Sequence, residues 1–154
     1  MLSALSLRDA ASTDISLLSS TRRVQSASGL IGVPGMRQVV RPLPNRHGSI
    51  DETAYMTERV ITIEGQVIGS TATAVYSEYD AIVSAFYDAM GTDRLLKYTR
   101  LTSGLALQST VRFHDSMDAP LEVDNGRLLL PYQATFLAAD PRAYSQTETT
   151  ATGA

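Results

Sequence analysis

Two histidines, no cysteine and no tryptophan leave this 154-residue chain few groups that could do chemistry. His114 is followed by Asp115, which could orient its imidazole, but a triad also needs a serine that the sequence does not single out. The Gly-x-Ser-x-Gly elbow is absent, and His47 stands beside a glycine in a loop-like stretch. Gly29, Gly32 and Gly35 are spaced like a phosphate cradle, yet no Lys-Ser or Lys-Thr pair follows them, so they read as part of a flexible arm. Asp115, Asp118, Glu122 and Asp124 are dense enough to gather around a hard cation, but their spacing matches no calcium loop and Pro120 interrupts them. The solvated end of a hairpin is the competing reading of these carboxylates. Tyr79, Ile82, Val83, Phe86 and Met90 recur at helical spacing and suit a core face better than a ligand box. The expectation is therefore no catalytic residue, no cofactor and no metal site.

A chain of this length makes one domain and can bury a core without disulfides. No uncharged stretch exceeds 13 residues, too short for a membrane helix, and the first residues lack the basic start and apolar run of a secretion signal. Net charge is −3, which argues against a dedicated nucleic-acid binder. Its distribution says more. Residues 15–50 hold Arg22, Arg23, Arg37, Arg41 and Arg46 and no acid, so this segment carries +5 and the rest of the chain −8. Such polarity can set one copy's basic segment against another copy's acidic body, a head-to-tail contact of the kind that closes rings.

The elements that would position these groups are mostly strands. Residues 1–14 read as a polar lead-in, and Ile15, Leu17 and Leu18 as a short strand ending in a turn at Ser19-Ser20-Thr21. Glycines and prolines from Gly29 to Asn45 predict a long irregular arm, set within residues 22–58. Arg59 to Gly69 alternates as a half-buried strand, with Ile61, Ile63 and Val67 inward. Ser77 reads as an N-cap with acids in the first turn behind it, and Gly91 as the stop of that helix. Short runs at 94–98 and 105–114 predict two more strands. Asp124-Asn125-Gly126 predicts a tight hairpin into a last strand, Arg127 to Ala138. That strand is apolar on both faces, so Leu129 and Leu137 join the five arginines as candidate inter-subunit contacts. The sum is a mainly β chain of about five to seven strands, an antiparallel β-sandwich with one flanking α-helix over residues 1–145 and a polar tail at 146–154.

Four stretches, in order, give the chain a resemblance to a known family. They are Gly29-Leu30-Ile31-Gly32 with Arg37 after it; Pro44-Asn45-Arg46-His47-Gly48-Ser49 leading into Arg59-Val60-Ile61-Thr62-Ile63-Glu64-Gly65; the helix from Ser77 to Met90 with Arg94 to Tyr98; and the closing strand ending in Asp140-Pro141-Arg142-Ala143-Tyr144. Together, over residues 15–145, these resemble the N-terminal domain of the distal tail proteins of long-tailed bacteriophages. The resemblance implies a structural virion protein at the tail tip, assembled in the host cytoplasm as a homo-oligomeric ring, expected to be a hexamer. Its implied partners are the tail tube protein, the tape measure protein and the baseplate hub or tail-associated protein, around a channel for DNA passage. It implies no catalytic residue, no specific nucleic-acid binding and no membrane contact. Family members often continue into a carbohydrate-binding-like domain, and this chain stops soon after Tyr144. Two rival readings remain: a tail-tube or tube-completion subunit, and a β-sandwich carbohydrate-binding module. The second is disfavoured by an aromatic content of 6% and by Tyr and Phe falling mostly on inward positions.

Overall fold

The computed structural model describes residues 2–38, 40–42, 49–51, 54–118, 120–124 and 126–146. Within them the chain is mainly β, with antiparallel strand pairings and a single helix. In chain order the elements are β1 (Leu2–Arg8), β2 (Asp14–Ser16), β3 (Arg22–Ser28), β4 (Met36–Arg37), β5 (Val40–Pro42), β6 (Ser49–Asp51), β7 (Tyr55–Met56), β8 (Arg59–Gly69), α1 (Ala72–Asp88), β9 (Arg94–Arg100), β10 (Ala106–Asp118), β11 (Glu122–Asp124), β12 (Arg127–Ala138) and β13 (Tyr144–Ser145). The main sheet runs β2-β1-β9-β10-β12-β8-β3, with β11 beside β12 and β13 beside β10.

The two layers expected of a sandwich are halves of this one sheet, and β10 belongs to both. Ala106 to Val111 pair with β9, whereas Arg112 to Asp118 pair with β12, and the register slips between Phe113 and Asp115. A bulge of this kind bends a strand and increases its twist, which lets one strand serve two layers. Leu5 and Leu7 of β1, Leu96 and Tyr98 of β9, Ile61, Ile63 and Val67 of β8, and Leu130, Tyr132 and Phe136 of β12 fall in one buried cluster. α1 closes it with Val75, Ile82, Ala85 and Phe86. Phe86 meets Phe136 edge-on at 5.6 Å and stacks on Phe113 at 5.4 Å, so aromatic packing fixes the helix on the sheet. At the far end Asp14 accepts from Lys97 at 2.7 Å and from Arg8 at 3.0 Å, tying β2, β1 and β9. Partial burial pushes its pKa up, but those two bonds outweigh it and hold the carboxyl below its ordinary value.

Three expectations need correction. The lead-in is a core strand: Leu5 and Leu7 are buried, and the period is short because the register shifts between Leu2 and Ala4, which puts Leu2 out of phase with them. Arg22 and Arg23 belong to a strand of the main sheet, β3, whose inward apolar residues Val24 and Ala27 are thrown out of period by a register shift between Val24 and Ser26. The helix begins a turn and a half before Ser77, with the Thr71 hydroxyl accepting from the Ala74 amide at 3.3 Å, because Val75 extends the buried stripe backward. The strand at 59–69, the inward parity of 107–111 and the turn at Gly126, with φ +75°, agree with expectation; Asn125 lies outside the described residues.

Gly65 shows why one position in β8 tolerates no side chain. It pairs directly with Tyr132, and a Cβ there would lie 2.7 Å from the phenol and 2.8 Å from the Arg23 carbonyl. The tyrosine ring fills the missing side chain's place, and its hydroxyl is buried without a hydrogen-bond partner. Burial, opposed by Arg22 and reinforced by Tyr79, pushes that phenol up to about 12. Gly65→Ala is expected to cost about 1–3 kcal/mol in a denaturant titration, the usual size of core overpacking. An unchanged midpoint would show that Tyr132 does not depend on this vacancy.

Candidate assembly surface

The arm leaves the body through a clasp built on backbone carbonyls. Arg59, the first residue of β8, donates from its guanidinium to the carbonyls of Gly29 at 3.3 Å, Leu30 at 3.0 Å and Gly32 at 3.1 Å. The buried Tyr98 hydroxyl also donates to the Leu30 carbonyl, at 3.1 Å. The chain can turn here because Gly29 and Gly32 adopt φ of +78° and +120°. At Gly29 a Cβ would also meet the Val60 carbonyl at 2.0 Å. The glycine spacing therefore serves a close backbone approach held by one arginine.

Beyond the clasp the expected irregular arm is a two-part hairpin. β4 pairs with β7, Met36 opposite Met56 and Arg37 opposite Tyr55; β5 pairs with β6, Val40 opposite Asp51 and Arg41 opposite Ile50. The hairpin's outgoing limb is basic, but Asp51 ends β6 and Glu58 follows β7, so the arm is not uniformly positive.

The candidate contact residues are not gathered in one place. Arg22 turns inward: it pairs with Glu78 of α1 at 2.7 Å and donates to the Ser16 carbonyl at 2.6 Å, tying β3 to the helix and to the end of β2. Arg23 is exposed on β3, at an end of the main sheet, and Arg37 is exposed on β4. Arg41 lies on β5, while Arg46 and His47 lie outside the described residues. Leu129 and Leu137 share the outward parity of β12, eight residues and so about 27 Å apart. Leu129 is half-buried opposite Ile68; Leu137 is 37% exposed opposite Val60, itself 54% exposed. This Val60–Leu137 pair is an apolar spot on the sheet face opposite α1, whose middle carries Thr62, Thr135, Glu64 and Gln133.

Sequence reasoning missed much of the exposed apolar surface. Six of the ten Tyr and Phe turn inward as expected, but Tyr55, Tyr76, Tyr87 and Tyr144 are exposed. Tyr55 caps the arm with Met36 and Met56, and Tyr76 and Tyr87 lie on α1. No hydrogen bond joins His114, Asp115 and Ser116, which lie consecutively on β10. The carboxylates from Asp115 to Asp124 are strung along β10 and β11 over about 25–30 Å, and no group of three or more metal-ligating side chains forms among the described residues. No helix is long and apolar enough to cross a membrane.

The closing Asp-Pro-x-x-Tyr stretch folds into a self-bonded turn. Asp140 accepts from the Arg142 amide at 3.0 Å and from the Tyr144 hydroxyl at 2.5 Å, and the chain then pairs β13 with β10. Gln146 seals that pairing by donating to the carbonyls of Leu107 and Tyr98. The Tyr144 bond, followed by that of the Arg142 amide, holds the Asp140 carboxyl below its ordinary value; in turn the Asp140 carboxylate raises the Tyr144 phenol.

No family model matches the chain, and no curated protein does. Comparison of folds is more informative: nine chains of solved structures match the described architecture. Among them is the crystal structure of SPP1 Dit, described as a paradigm of the hub adsorption apparatus in phages infecting Gram-positive bacteria. It superposes with a TM-score of 0.61 over 92% of this chain at 17% identity, and this chain spans about half (51%) of its length. The likeness is one of fold.

Two outcomes follow from this geometry. Arg59→Lys keeps the charge but loses the fork, so faster amide exchange around Gly29–Gly32 and a loss of about 1–3 kcal/mol in unfolding free energy are expected; unchanged exchange there would dismiss the clasp. Tyr144→Phe is expected to raise the Asp140 pKa toward its ordinary value in an NMR titration. Because the folded carboxyl sits low, its contribution is present above the unfolded pKa of 3.8 and is lost as pH falls through the folded value, so the variant should differ from the parent least in strong acid.

Proposed function

We propose that this protein is a structural component of a phage tail, a subunit that forms a ring at the distal end, joins the tail tube to the tip hub and leaves a channel for DNA. The observation that carries the reading is the fold shared with SPP1 Dit over nearly the whole described chain. The residues add support in kind. An arm clasped to the body at one point, an exposed Val60–Leu137 spot and exposed Met36, Tyr55 and Met56 are features of a subunit whose surface is finished by neighbours. Arg23 and Arg37 are the exposed cations best placed for inter-subunit pairing, since Arg22 is already spent on Glu78. A ring of chains at −3 each would repel a duplex passing through it, which keeps DNA mobile.

Light scattering on the purified protein at high concentration, with negative-stain imaging, is expected to show closed rings near six times the 16.6 kDa chain mass, alone or with tube and hub proteins added. Long tubes would favour the tube-subunit reading. A lone monomer under all these conditions would overturn both.

A further inference from the structure

Beside α1 the sheet is left open. β9 accompanies β10 only to Val111, and at Phe113 the amide donates to the Ala89 carbonyl at 3.0 Å, so the end of the helix replaces the missing strand for one residue. From His114 onward this edge of β10 has no strand beside it among the described residues. Between edge and helix runs a groove of about 400 Å³ lined by Phe86 and Phe113, stacked nearly parallel at 11°, with Val83, Tyr87 and Met90. Tyr87 and Met90 are 66% and 52% exposed. The groove leans acidic: Asp115 lines it beside His114, Asp80 lies one helical turn before Val83, and among the described residues no Lys or Arg lines it.

The same chain carries a segment of matching chemistry. The outgoing limb of the arm, Met36-Arg37-Gln38-Val39-Val40-Arg41-Pro42, combines apolar residues with two arginines and has no acid. β4 pairs only with β7 and β5 only with β6, so among the described residues the limb has a second edge without a strand. The returning limb cannot substitute, because Asp51 and Glu58 would bring like charge to Asp80 and Asp115.

We propose that the groove between α1 and the open edge of β10 receives the outgoing arm limb of a second copy, added to β10 as a further strand. Backbone hydrogen bonds along the edge supply affinity, the aromatic floor takes alternate apolar side chains, and Arg37 and Arg41 meet Asp80 and Asp115. The contact is head-to-tail, since arm and groove are different surfaces, and repetition closes a ring. It rests on the ring reading above and assigns the surface through which neighbours engage.

The test is a charge exchange. Arg37→Glu with Arg41→Glu, and separately Asp80→Arg with Asp115→Arg, should each raise the concentration at half-assembly at least about tenfold. Mixing the two variants should restore rings, because every junction in an alternating ring of even number is then complementary. Because the natural sequence has no cysteine, Val40→Cys chains mixed with Ser116→Cys chains should form a disulfide-linked pair, and this holds even if a reversal variant fails to fold. Rings that form from the parent chain but persist in the groove variant, or that never yield the cross-link, overturn the docking site and leave the ring reading standing. A parent chain that never oligomerises removes both.

Discussion

Everything in this molecule that reaches outward depends on the carbonyl of Leu30. There the chain leaves β3 and reverses through two left-handed glycines, and Arg59 and the buried Tyr98 hydroxyl converge on backbone carbonyls that no strand partner satisfies. Turning backbone toward a core strands acceptors that must be satisfied, and a planar guanidinium can serve several at once. One residue after Arg59, Val60 starts the outward parity of β8, so the clasp also sets the register of a sheet face. Among the described residues the strands of the arm pair only with one another, which leaves them outside the main sheet.

The body answers a different demand. A single antiparallel sheet cannot cover itself, and this one does so by letting β10 change partners at the bulge after Phe113. The change bends the sheet around Phe86, Phe136 and Tyr132, and it also leaves the far end of β10 without a strand on one side. The irregularity that builds the core also creates an edge that is open among the described residues, and proteins that must stay monomeric usually protect such edges.

The likeness to SPP1 Dit gives the resemblance noted in the sequence a structural basis, and several of the motifs behind that resemblance gain mechanical reasons. The glycine pair admits close backbone approach, the arginine opening β8 holds it, Gly65 seats Tyr132, and Asp140 with Tyr144 returns the chain to the sheet. Motifs that are weak singly become informative when each answers a steric or hydrogen-bonding requirement of one fold.

The sequence by itself determined the strands that alternate cleanly, the tight turn at Gly126, the aromatic stripe of α1 and the two-faced character of β12, because burial on one side imposes a period that needs no knowledge of the partner. It did not reveal β1, whose period is cut short by the register shift between Leu2 and Ala4, or β3, whose two inward apolar residues, Val24 and Ala27, are thrown out of period by the shift between Val24 and Ser26. It could not sort the arginines either. Arg22 and Arg23 are adjacent and chemically identical, yet one is absorbed by Glu78 and the other faces water, since in a strand successive side chains point to opposite sides and only the packed helix decides which side is occupied.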